Sequence, residues 1–288
     1  MLINLDTRTM GMGEIPFSTL LPLAATHGYG ALQFPLWEIT TTAQAEEAAR
    51  RLTDRGLRWG LLPMDIDMLR ECPAEVFESD LETLRGQMDL AEAGGVHRYY
   101  THVWPGSNER TFEENFAWHV DRVGRVYEAA RDHGIEYGLE FIGPVHLRDS
   151  FTFPFISGIV DGLSLIDAVS RDIGILVDTF HWYTSGGSLD DLRKIGRGDR
   201  IVNVHLNDGW KGRSREEQRD LERELPLATG VIDSVAVMRT LHSLGYEGTV
   251  TVEPFEPAAG RLRSMPLDEA LGIVAGSVRE VLTLAGIE

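Results

Sequence analysis

The stretch FEENFAWHVDRVGRVYEAARDHGIEYGLEF, residues Phe112 to Phe141, changes its hydrophobic period part-way along. In its first part Phe116, Val120, Val123, Val126, Tyr127 and Ala130 recur at helical spacing and can face one core. Gly134 then ends the helix, because glycine enters the left-handed region at least cost. From Glu136 to Phe141 the pattern becomes an apolar β-type run with a carboxylate, Glu140, near its end. A helix closed by glycine just before a strand is one half of a repeated βα unit. The same punctuation returns at Gly28, Gly56, Gly94 and Gly245.

Working outward, strands are expected at Leu2 to Asp6, Ala31 to Leu36, Arg58 to Pro63, Arg98 to His102, Glu136 to Phe141, Ile173 to Asp178, Ile201 to Leu206 and Thr249 to Pro254. Amphipathic stretches lie between them, the sign of parallel strands joined by crossover helices. Eight such units without a proline-rich linker favour an α/β fold of the closed (β/α)8 TIM barrel type over an open sheet. The length of 288 residues suits a single domain spanning residues 1–288. The exception to the rhythm is a long, charged loop at about 207–230, between the seventh strand and its helix. Most of its charges, including Glu216, Glu217 and Asp220, are expected to be solvated.

Composition narrows the function. The hydrophobic fraction of 43% is enough for a large core, and no apolar stretch approaches the ~20 residues of a membrane span. Met1 to Asp6 has no basic region ahead of an apolar one, so a cytoplasmic location without secretory signal is expected. Cys72 is the single cysteine, which excludes an intrachain disulfide and a thiolate zinc cluster. A net charge of −18 opposes nucleic acid and anionic membranes as partners and leaves neutral sugars or cations.

In a barrel the site lies at the carboxyl ends of the strands. Four consecutive strands end in metal-binding residue types: Tyr137-Gly-Leu-Glu140, Ile173-Gly-Ile-Leu-Val-Asp178, Ile201-Val-Asn-Val-His205 and Val250-Thr-Val-Glu253. Each alone has a plainer explanation, as a helix cap or a histidine satisfied by backbone groups. Together, three crowded carboxylates would resist ionisation unless a cation neutralised them. One divalent ion does so. Oxygen-rich coordination with one imidazole suits Mn²⁺ first, with Mg²⁺, Co²⁺ or Zn²⁺ as alternatives.

At these residues the chain resembles the xylose isomerase-like barrel superfamily, in its sugar isomerase and epimerase branch. The resemblance spans nearly the whole chain and is carried by Gly138-Leu-Glu140, Val177-Asp178-Thr-Phe-His181, Asn203-Val-His205-Leu-Asn-Asp208, and Gly230-Val-Ile-Asp233 through Gly248-Thr-Val-Thr-Val-Glu253-Pro-Phe255. It implies that Glu140, Asp178, His205 and Glu253 bind the metal, that Glu140 and Glu253 also move protons, and that His181 binds substrate. It further implies a possible homo-oligomer. Asp208 and Arg223, in the long loop, are added as contacts to substrate hydroxyls.

The chemistry implied is isomerisation or epimerisation of a sugar: the ion holds a carbonyl and its neighbouring hydroxyl, and proton removal gives an enediolate. One glutamate takes the proton and the other returns it, to the same carbon in an epimerase or to the next in an isomerase. A lyase or dehydratase acting on a keto-sugar glycoside or an inosose begins with the same step and is the main alternative; a non-catalytic sugar-binding protein would leave the paired carboxylates without purpose. An abasic-site endonuclease is disfavoured, because Gly60-Leu-Leu-Pro63 has no histidine and Asp208 has none two residues on. No GxxxxGK[ST] cradle is present, which favours a free sugar over a phosphorylated one. Trp104, Trp182, Phe141 and Phe255 are candidates for an apolar wall. His102 has no evident partner, His119 and His133 are expected on the surface, and Cys72 has no catalytic context.

Overall fold

Runs rich in Val, Ile and Leu can be buried on both faces of a parallel sheet, and in the computed structural model, which describes residues 1–287, they form one eight-stranded sheet. The strands are β1 Leu2–Leu5, β2 Ala31–Leu32, β3 Arg58–Trp59, β4 Arg98–Val103, β5 Glu136–Phe141, β6 Gly174–Asp178, β7 Ile201–Leu206 and β8 Thr249–Val252. All neighbours pair in parallel in the order β3-β2-β1-β8-β7-β6-β5-β4, so the sheet curls with β3 and β4 at its two ends. Across those ends the Leu62 amide donates to the Arg98 carbonyl at 2.8 Å. Strands β2 and β3 are shorter than the sequence suggests. Pro35 and Pro63 have no amide to donate, so beyond Leu32 and Trp59 the pairing survives as single bonds such as Gln33 N to Leu5 O, 2.9 Å.

Around the sheet lie α1 Phe17–Thr26, α2 Thr42–Thr53, α3 Ala74–Gly94, α4 Phe112–Asp132, α5 Ile159–Val169, α6 Leu189–Arg193, α7 Ser234–Ser243 and α8 Leu267–Ala285. Helix α2 packs on α3, α4 on α5, and α7 on α8, and one continuous apolar cluster joins this layer to the strands. The opening stretch of sequence folds as read: Thr111 and Glu114 form a capping box at the start of α4, and Gly134 follows its end at φ +65°. His119 differs from expectation. It is buried, its ring stacked 4.7 Å from Phe155, because the segment after β5 returns over that face of the helix. None of the described helices is long and apolar enough to cross a membrane.

Inside the sheet, Ile175 pairs with Ile201 but Leu176 pairs with Asn203, which leaves Val202 as the extra residue of a bulge. Its side chain fills the space where a Cβ at Gly138 or Gly174 would stand, 2.4 and 2.8 Å away. The glycine of Gly138-Leu-Glu140 is therefore demanded by a strand two places across the sheet. Next to it lies a hydrogen-bonded polar layer: Asn4 and Asn203 donate to the Thr251 hydroxyl at 3.0 and 3.1 Å, and Thr249 donates to Asn203 at 2.9 Å.

Two outcomes follow from this packing. Gly138→Ala should lower stability by about 1–3 kcal/mol in urea melts, the cost of forcing a methyl group into a filled core; an unchanged midpoint would show that Val202 can move aside. Burial holds the His119 imidazole down at about 4, against 6.5 when free. The unfolded chain then binds one more proton than the folded chain between those values, so stability falls as pH drops from 6.5 to 4. His119→Leu should remove a share of this acid sensitivity on the order of 1–3 kcal/mol, read as the difference between the two proteins' melts across that window.

Candidate metal centre

Register sets the site before any ion is considered. Asp178 of β6 and His205 of β7 are partners in their ladder, as are His102 of β4 and Glu140 of β5, and Glu253 follows β8 directly. These carboxyl ends converge. Glu140, Asp178, His205 and Glu253 each offer one ligand atom within 4.8 Å of the others. His205 Nδ1 stands 3.4 Å from Glu140 Oε1, 3.6 Å from Glu253 Oε2 and 3.8 Å from Asp178 Oδ2. All but Glu253 are buried, and Glu253 is half-buried.

The chemistry of this set fits a divalent ion. Glu140 Oε1 and Oε2 and His205 Nδ1 are buried yet have no hydrogen-bond partner, an arrangement that buried polar atoms rarely tolerate without a ligand. Three carboxylates and one imidazole are a donor set for a hard or borderline cation. Burial alone would push the Glu140 carboxyl up, but the His205 and His102 imidazoles hold it well below the usual range; Glu253, where burial outweighs His205 and Arg223, is raised.

Asp178 performs two tasks. Its Oδ1 accepts from the amides of Phe180 (2.6 Å) and His181 (2.9 Å), capping the short helix Thr179–Thr184, while Oδ2 faces the cluster. The helix-cap explanation and the ligand explanation are therefore compatible. The same helix carries His181, whose Nδ1 accepts from the Gly143 amide at 3.3 Å. A Cβ on Gly143 would lie 2.2 Å from the His181 carbonyl oxygen, so this approach needs glycine.

Arg223 arrives from the long loop and is fully buried. Its Nη1 donates to Glu253 Oε2 at 2.6 Å and to Asp178 Oδ2 at 2.9 Å, and its Nη2 donates to Asp220 Oδ1 at 2.7 Å and stands 3.2 Å from His181 Nε2. Phe180 and Phe255 cover the guanidinium at 4.6 and 4.8 Å. Burial works against its charge, and Asp178, Glu253 and Asp220 more than offset this. Two residues beside each other in the sequence, Glu222 and Arg223, reach this position by pairing with Glu256 and Pro257. Asp220 is thus a brace inside the site, unlike Glu216 and Glu217, which are exposed.

Asp208 is also buried, but both of its oxygens are occupied: Oδ1 accepts from the amides of Gly209, Val231 and Ile232, and Oδ2 from those of Thr229 and Gly230, at 2.8–3.1 Å. A cavity of about 480 Å³ opens on the cluster at His205 and Glu253, with Asp6, Arg8, Gln33, Tyr100 and Phe255 in its wall. Of the four aromatic residues singled out earlier, Phe255 lines it; Trp182 is tied to the Ser188 carbonyl, and Phe141 packs against Gly162. Asp6 was legible as another strand-ending carboxylate. His102 was legible as the end of the fourth strand, but its partner, Glu140 Oε2 at 3.0 Å from Nε2, emerges only through the β4–β5 register.

Titration calorimetry with Mn²⁺ should give one ion per chain, and an excess of 100 times Kd should stabilise the fold by about 2.7 kcal/mol in thermal melts. Asp178→Asn and His205→Ala should each weaken binding by roughly 100-fold or more, beyond what loss of a supporting group costs. Unaltered affinity in both variants would place the ion elsewhere.

Comparison with known proteins agrees with this architecture. The family described as "Xylose isomerase-like TIM barrel" matches residues 21–271. The inosose isomerase of Bacillus licheniformis is 28% identical over 180 residues, 62% of this chain and 60% of that protein. The D-psicose 3-epimerase of Ruminiclostridium cellulolyticum is 25% identical over 194 residues, 66% of this chain and 58% of the other. The chain thus spans somewhat over half the length of these curated relatives. A solved xylose isomerase domain protein from Alicyclobacillus acidocaldarius superposes with a TM-score of 0.79 at 25% identity, over 99% of both chains. The family match covers most of the chain, and its eight parallel strands carry the ligand cluster at their carboxyl ends; the protein belongs to the xylose isomerase-like TIM barrel family.

Proposed function

We propose that this protein is a divalent-metal-dependent isomerase or epimerase of sugars, working by proton transfer at a carbon next to a carbonyl. The observation that carries the reading is the pair Glu140 and Glu253, which approach the same His205 nitrogen at 3.4 and 3.6 Å from strands three places apart in the sheet. Two carboxylates flanking one point can serve as base and acid on one bound carbon. The printed names of the inosose isomerase and D-psicose 3-epimerase relatives support the same class. In this reading the sheet is a closed barrel, sealed where Leu62 meets Arg98, and residues 1–288 form one domain.

A divalent ion held by Glu140, Asp178, His205 and Glu253, with Mn²⁺ the first choice ahead of Mg²⁺, Co²⁺ and Zn²⁺, would polarise the substrate carbonyl and its neighbouring hydroxyl. One of Glu140 and Glu253 takes the carbon-bound proton, and the other returns a proton to the same or the adjacent carbon. His181 offers its Nε2 edge to a substrate oxygen. Arg223 aligns Asp178 and Glu253 and presents its guanidinium beside the substrate. Asp208, with five amides on its two oxygens, shapes the loop instead of touching substrate. Phe255 and Tyr100 form the cavity wall that limits water around the reacting carbon.

The Mn²⁺-loaded protein, incubated in D2O with ketoses, inososes and 3-keto glycosides, should place deuterium on the carbon beside the carbonyl without elimination, as followed by NMR. Glu140→Gln and Glu253→Gln should each lower kcat by roughly 10²–10⁴-fold. Loss of water or aglycone would make the protein a lyase. Absence of exchange with every substrate would remove the proton-transfer reading.

A further inference from the structure

The candidate metal ligands occupy one half of the sheet, on β5 to β8, and the cavity of about 480 Å³ that opens on them takes the rest of its wall from the other half. Asp6 and Arg8 follow β1, Gln33 follows β2, Leu61 and Met64 follow β3, and Tyr100 lies on β4. A sugar whose reacting carbon reaches Glu140 and Glu253 presents its far end to this second wall.

Several polar groups of that wall are already engaged. Asp6 Oδ1 accepts from the amides of Arg8 and Thr9 at 3.0 and 3.2 Å, and its Oδ2 accepts from the Thr9 hydroxyl at 2.7 Å. The Thr251 hydroxyl takes the side-chain amides of Asn4 and Asn203. Gln33 is different. It is only 6% exposed, and its Oε1 accepts from the Leu61 backbone amide and from Asn4 Nδ2, both at 3.3 Å. A backbone amide can only donate, so the atom facing Leu61 is the oxygen, and the orientation of the Gln33 amide is fixed. Its Nε2 has no hydrogen-bond partner among the described residues and is not sealed from solvent. This buried side chain is anchored at its acceptor end and leaves its donor end open on the cavity.

Charge decides which acceptor that donor meets. Among the described residues, Arg8 is the one guanidinium or ammonium group on the cavity, and its Nη1 is paired with Asp65 Oδ1 at 2.6 Å, with Asp6 and Glu14 adding to the negative field around it. A phosphate or carboxylate on the substrate would compete with Asp65 and meet Asp6 and Glu253. A cation would meet the Gln33 N–H groups. A hydroxyl oxygen avoids both conflicts and accepts from the amide. We propose that Gln33 is a specificity-determining residue: its Nε2 donates to a hydroxyl oxygen at the end of the sugar remote from Glu140 and Glu253, and it selects an uncharged keto sugar carrying that hydroxyl. The inference rests on the sugar reading above and adds the residue that recognises the far end of the substrate. An analogue without the hydroxyl would leave the donor unpaired once the sugar has displaced water.

The test follows deuterium exchange in D2O by the Mn²⁺-loaded full chain with D-fructose, D-tagatose and scyllo-inosose, against D-fructose 6-phosphate and 5-keto-D-gluconate. At least one uncharged sugar should exchange with a kcat/KM about tenfold or more above either anion. Gln33→Leu should lower kcat/KM for that sugar about three- to tenfold, through KM more than through kcat, the equivalent of one hydrogen bond. Gln33→Glu, assayed at about pH 8 where an ordinary carboxyl is ionised, keeps an oxygen for Leu61 and Asn4 but cannot donate, and should lose at least as much. Among singly deoxygenated forms of the same sugar, one should be weaker with the unaltered chain and lose nothing further with Gln33→Leu. The Mn²⁺ dissociation constant and melting curve of each variant confirm an intact fold. Recovery of KM in Gln33→Glu would mean that only the anchored oxygen matters and would overturn the proposal. Faster exchange of an anionic sugar, or unaltered KM in both variants, would overturn it too and leave the sugar reading standing. No exchange with any of these sugars, in a chain that binds Mn²⁺, removes the sugar reading and this inference with it.

Discussion

Around one imidazole nitrogen, three carboxylates lie within 3.8 Å, two of them buried and the third half-buried, and the region above the sheet is organised by how that negative charge is balanced. An uncompensated buried carboxylate costs several kcal/mol, so it either protonates or finds a cation. This protein provides for two cations. Arg223 is one, fixed by the chain itself on Asp178 and Glu253. The buried oxygens of Glu140 and the Nδ1 of His205, which make no hydrogen bond, belong to a cluster that could hold the second, a divalent ion.

The long charged loop between β7 and α7 then has a clear structural task. It must carry one guanidinium from the surface into the centre of the site and hold it there. Asp208 fastens the returning end of the loop through five backbone amides. The short pairing of Glu222–Arg223 with Glu256–Pro257 ties its middle to the segment after β8, and Asp220 with Phe180 and Phe255 confines the guanidinium itself. Removing one partner of such a buried group leaves the others exposed to each other's charge, which is why loop and ligands act as one unit.

Beneath the site, the strand register decides where each ligand emerges. The bulge at Val202 shifts β7 by one residue relative to β6, and above it His205 comes level with Asp178. That side chain needs room inside the curled sheet, which Gly138 and Gly174 provide. A glycine two residues before Glu140 is thus linked to the position of His205 through packing.

Periodicity and strand ends are local properties, and they alone pointed to the eight strands and to Glu140, Asp178, His205 and Glu253 as the candidate metal-binding set. The limits of β2 and β3, His119, Asp220 and His102 were decided by tertiary contacts: single bonds past prolines, a return segment over α4, a loop folded inward and a partner strand in register. Asp208 and Arg223 stand alike in sequence, as charged residues of one polar loop. Only the folded chain separates them, because the oxygens of Asp208 are filled by amides from the two ends of its own loop, whereas Arg223 reaches Asp178 and Glu253 on strand ends far away in the sequence.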